Sequence, residues 1–89
     1  MKILGLTHIA ELNARAELRT WVSAWVAEVR YATWKRASDV ITQFPSAIQV
    51  AVDRFRFLSL EPRACVEVSI AYPQGIVLIV FADVDCHGL

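Results

Sequence analysis

Eighty-nine residues leave room for one domain, with the sequence read as a single unit over 1–89. Hydrophobic residues make up 56% of the chain, so they must pack well or meet another chain, and a formal net charge of +0 lacks the basic excess usual in strong nucleic-acid binders. No apolar run approaches the ~20 residues that cross a bilayer, and the first fifteen residues lack the apolar core and cleavage site of a signal peptide.

Met1 to Leu6 is short and apolar, and reads either as a first strand or as a lead-in. Thr7 is a capping residue type for a helix that begins at His8 or Ile9 and runs to about Ala32. Leu18, Val22, Trp25 and Val29 recur at helical spacing and share one face, which Trp21, Val26 and Ala32 widen. Arg19, Ser23, Ala27 and Arg30 fall largely opposite. A break near Asn13 to Ala16 would divide the stretch into a helical hairpin. Trp21 and Trp25 read as core residues.

Residues 32–37 leave the helix, and Ser38 to Phe44 reads as a short third helix. Ser38 suits its cap, Asp39 suits the positive end of its dipole, and Pro45 stops it. Ser46 to Val52 alternates as a strand, Asp53 fits a turn, and Arg54 to Leu58 alternates again with Phe55 and Phe57 inward. Glu61-Pro62 makes the next turn. Ala64 to Phe81 then reads as a β-hairpin closed by Tyr72-Pro73-Gln74-Gly75, where proline presets φ and glycine takes the positive φ. Its second strand, Ile76 to Phe81, has no polar position. Such a strand is either covered on both faces or presents one face to a partner. Helices followed by strands indicate an α+β fold: two N-terminal helices and a short third packed on an antiparallel sheet of about four strands.

Several strings, in order, resemble the HigB-type toxins of bacterial toxin–antitoxin modules, within the RelE/ParE-like superfamily. They are WVSAWVAEVRYATWKRASDV, FPSA, DRFRF and AYPQGIVLIVF, and the pattern runs ungapped from about Val22 to Phe81. The resemblance implies a RelE-like fold, and the sequence, read without a signal peptide, makes the expected location cytoplasmic. The resemblance implies metal-independent, cofactor-free cleavage of mRNA on the ribosome, in which a ribose 2′-hydroxyl attacks the adjacent phosphorus. It also implies a HigA-like helix-turn-helix antitoxin as partner. Arg54 matches the family arginine and Arg63 falls at a family lysine. Arg56, Lys35 and Arg36 would extend the RNA-binding surface, although solvated arginines on strand edges would look the same. Arg63, His87 and Asp85 are the candidate catalytic residues: Asp85 aligns with the family histidine, and His87 lies two positions on.

The departures point elsewhere. Arg63-Ala64-Cys65-Val66 stands where the family has Lys-Tyr-Arg-Leu, and Val80 stands where it has an arginine. These losses, with the neutral charge, motivate an alternative: a toxin-fold protein without nuclease activity that binds an antitoxin or a second copy through its apolar strand. Cys65 reads as a packed apolar residue, and both cysteines as reduced thiols of a cytosolic protein. Asp83, Asp85, Cys86 and His87 are metal-ligand types, but they come from one short segment with no second cluster to complete a shell, so no metal is expected. Gly5, Gly75 and Gly88 cannot supply a phosphate-binding glycine loop.

Overall fold

The structure, a computed structural model, describes residues 1–60 and 63–84, apart from the side chain of Glu11. The expected turn at 61–62, and the candidate residues Asp85, Cys86 and His87, lie outside the described residues.

The elements in order are β1 (Lys2–Leu4), a 3-10 turn (Leu6–Ile9), α1 (Ala10–Ala14), α2 (Ala16–Tyr31), α3 (Ala37–Gln43), β2 (Ile48–Ala51), β3 (Arg54–Leu60), β4 (Arg63–Ala71) and β5 (Ile76–Val84). The α+β expectation is met, but the sheet has five strands rather than about four, and it is mixed rather than antiparallel. Its order is β1-β5-β4-β3-β2, with β1 parallel to β5 and the other pairs antiparallel. A three-residue strand is too short to carry an alternation signal, which is why β1 was ambiguous in sequence.

The helical hairpin is present. Arg15 sits in extended backbone, φ −87° and ψ 119°, between α1 and α2. The helical stretch opens from Gly5, in the left-handed region, and no side chain caps it, so Thr7 does not serve as a cap. On α2, the face read from sequence is the buried one: Leu18, Val22, Trp25 and Val29 are all buried. The Met1 nitrogen donates to the Arg30 and Ala32 carbonyls and ties β1 to the end of this helix. At α3, Ser38 does not cap. The Asp39 carboxylate, in the first turn, instead accepts the backbone N–H of Lys35, which lies ahead of the helix, at 2.8 Å.

The helices cover one face of the sheet. Phe55 and Phe57 on β3, Ala64, Val66, Val68 and Ile70 on β4, and Val77 and Ile79 on β5 are buried there. Trp25 meets Phe57 edge-on at 5.4 Å, and Phe44 meets the same ring at 5.0 Å. β5 resolves the ambiguity of its all-apolar sequence. It is an interior strand covered on one face only. Leu78 and Phe81 are 42% and 41% exposed on the other, with Leu4 of β1 beside Leu78 at 39%. A bulge shifts the register so that Val68 faces Ile79 while Glu67 faces Phe81. Beyond it, Ala82 and Val84 pair with the buried Val66 and Ala64 and pack against the core.

Candidate functional site

Strand alternation decides which side chains can act together. On β4 the even positions face the helices, so Arg63, Cys65, Glu67 and Ser69 face the helix-free side. Across the β3–β4 ladder, Arg54 pairs with Ser69, Arg56 with Glu67, and Leu60 with Arg63. Arg54, Arg56 and Arg63 therefore all belong to the open face.

They are not equivalent on it. The carboxylate of Glu67 holds two of them: Arg56 donates through Nε at 3.2 Å and Nη2 at 2.8 Å to Oε1, and Arg54 Nη1 lies 3.6 Å from Oε2. The Glu67 side chain is 12% exposed and Arg56 21%, whereas Arg54 keeps 46%. Arg56 is thus a buttress, and Arg54 is the cation of the pair that presents unspent N–H donors outward. Arg63 is exposed at the far end of β4 and makes no ion pair with any described residue. Six strand positions separate it from the register of Arg54, roughly 20 Å at strand rise.

Lys35 and Arg36 do not join this group. They are exposed in the link from α2 to α3, within the helix layer. A cavity places Lys35 beside the Tyr72–Gly75 turn, at the end of the sheet opposite Arg63. The predicted basic surface is therefore two separate parts: an open-face row of arginines, and a loop pair at one end of the molecule.

Two features were not read from sequence. Glu67 at the centre of the arginine row was one, because opposite charges on neighbouring strands meet only once the register is known. The other is the state of Cys65. It is fully buried, as expected, but it takes part in a disulfide, which corrects the reduced-thiol reading.

Tyr72 has a displaced acidity. Burial, and then the negative charges of Asp53 and Asp39, raise its hydroxyl above the usual tyrosine range, and that hydroxyl is buried without a hydrogen-bond partner. Among the described residues, no three histidine, cysteine, aspartate or glutamate side chains gather as a metal shell. No helix among the described residues is long and apolar enough to cross a membrane. Comparison with protein-family profiles, with curated proteins and with solved structures gave no match.

Proposed function

We propose that this chain is a toxin of a bacterial toxin–antitoxin module, a HigB-like endoribonuclease that inhibits translation by cleaving mRNA on the ribosome. The observation that carries the reading is the placement of Arg54, Arg56 and Arg63 on one helix-free sheet face. A row of cations on an open face is what a polyanionic backbone requires. Arg54 and Arg63 would hold phosphates. Arg56, fixed by Glu67, would keep Arg54 oriented. The ribose 2′-oxygen would bond to phosphorus as the bond to the 5′-oxygen breaks, leaving a 2′,3′-cyclic phosphate and a 5′-hydroxyl. His87 and Asp85 enter from the resemblance alone, as the groups that remove the 2′-hydroxyl proton and return one to the leaving oxygen. A HigA-like helix-turn-helix protein would neutralise the toxin, and the site of action would be the cytoplasm. Addition of the purified protein to a translation reaction tests this. Truncated mRNA on stalled ribosomes is the expected result, and arrest with intact mRNA refutes cleavage.

A second reading, a toxin-fold binding module without nuclease activity, is favoured by two observations. Glu67 occupies Arg56 and partly neutralises Arg54. The β1–β5 half of the same face is apolar, with Leu4, Leu78 and Phe81 exposed. Such a patch suits a protein partner or a second copy better than RNA. Growth arrest that survives replacement of both Arg54 and Arg63 by alanine would select this reading.

A further inference from the structure

β2 is shorter than the strand it borders. Its register with β3 covers Arg54 to Arg56 and stops. The chain approaches β2 through a turn, in which the Ala47 N–H donates to the Phe44 carbonyl at 3.0 Å. Among the described strands, the rest of β3 is paired on its β4 side only. The Ile70 N–H donates to the Asp53 carbonyl at 2.8 Å, which marks the odd positions of β3 as the rungs bonded to β4. Arg56, Leu58 and Leu60 therefore turn their N–H and C=O groups the other way. Arg56 meets Ile48 there, while Leu58 and Leu60 have no described strand beside them.

A cavity opens next to this edge. Trp21 and Trp25 of α2, Phe44, and Phe57 and Leu58 of β3 line it, with the exposed Glu28 at its side. Its volume is about 180 Å³, and a cavity of about 150 Å³ accommodates a benzene ring. An unpaired strand edge supplies affinity through main-chain hydrogen bonds, and a pocket at side-chain spacing supplies selectivity.

The geometry points to a peptide-docking site. An extended segment of a partner protein adds beside Leu58 and Leu60 as a further strand, places one large apolar side chain in the aromatic cavity, and carries a lysine or arginine toward Glu28. Glu28 has no ion pair among the described residues, and its charge sets that preference. The site does not rest on the RNA reading, because it lies at the sheet edge and uses none of the residues proposed to touch phosphate.

The probe is a set of short acetylated peptides that alternate threonine with a varied central residue (alanine, valine, leucine, isoleucine or phenylalanine) and carry one lysine. Tryptophan emission follows Trp21 and Trp25, and amide hydrogen exchange follows Leu58 and Leu60. Leucine or phenylalanine peptides should slow exchange at both amides, and the alanine peptide should bind at least about tenfold more weakly, the effect of one buried apolar side chain. N-methylation of the peptide backbone should abolish binding, and Ala24→Phe, which fills the cavity, should do the same. Replacing the peptide lysine by glutamate should weaken binding, and Glu28→Gln should remove that difference. The proposal is overturned if no peptide of the set protects Leu58 and Leu60, or if N-methylation has no effect. It is equally overturned if a single-stranded RNA oligonucleotide, rather than a peptide, produces the protection.

Discussion

Gly5 and Gly75 both adopt positive φ, 83° and 67°, yet they answer to different constraints. A Cβ on Gly75 would meet nothing within 4 Å, so only backbone conformation opposes a side chain there. A Cβ on Gly5 would lie 2.6 Å from the backbone carbonyl oxygen of Ile79, an atom that cannot move without breaking the sheet. Gly75→Ala should therefore lower stability by about 1 kcal/mol. Gly5→Ala should lower it by roughly 3 kcal/mol, both measured by urea denaturation. The first requirement was legible in the Tyr72-Pro73-Gln74-Gly75 string. The second was not, because it arises from the packing of the chain against β5, seventy residues on. Tyr72 gives a second prediction at this scale. Its folded-state pKa is raised from 10.0, so the neutral hydroxyl is the favoured form. Its contribution is complete below pH 10 and is lost as pH rises through the folded-state value. Tyr72→Phe should flatten that alkaline loss. At neutral pH it should be neutral or stabilise by up to about 1 kcal/mol, since the hydroxyl is buried without a partner.

Among the elements, α2 contributes Leu18, Val22, Trp25 and Val29 to the core. Its 3.6-residue pattern identified every residue that it buries, because a sixteen-residue amphipathic helix repeats its signal four times. Trp25→Ala should destabilise by about 3–5 kcal/mol, enough to unfold much of a domain this small, as circular dichroism would record. The strands were less legible in the same way. Alternation identified β3 and β4, and it put Phe55 and Phe57 inward correctly. It could not show which strands are neighbours, so the meeting of Arg56 with Glu67 stayed hidden. Glu67→Gln should leave the partly buried Arg56 and the exposed Arg54 without their carboxylate and cost about 1–2 kcal/mol, screened by the exposure of Arg54. If RNA binds the open face, the same change should tighten that binding, because phosphate no longer competes with Glu67. Fluorescence anisotropy of a labelled oligonucleotide measures this.

At the scale of the whole molecule, both proposed functions start from an asymmetry: the described helices lie on one side of the sheet. The other side is half apolar and half cationic, and the two proposed functions divide along that line. The disulfide at Cys65 adds a constraint, since disulfides persist mainly outside the cytosol, where the RNA reading does not operate. Protein purified without reductant, denatured and alkylated should show no adduct at Cys65, and an adduct there would restore the reduced-thiol reading. The central claim concerns the open-face arginines and RNA. Its most direct test maps the ends of mRNA recovered from programmed ribosomes after exposure to the protein. The account predicts 2′,3′-cyclic phosphate ends at defined positions, reduced at least about hundredfold when Arg54 and Arg63 are both replaced by alanine. Intact mRNA, or cleavage unchanged in that double variant, would contradict it.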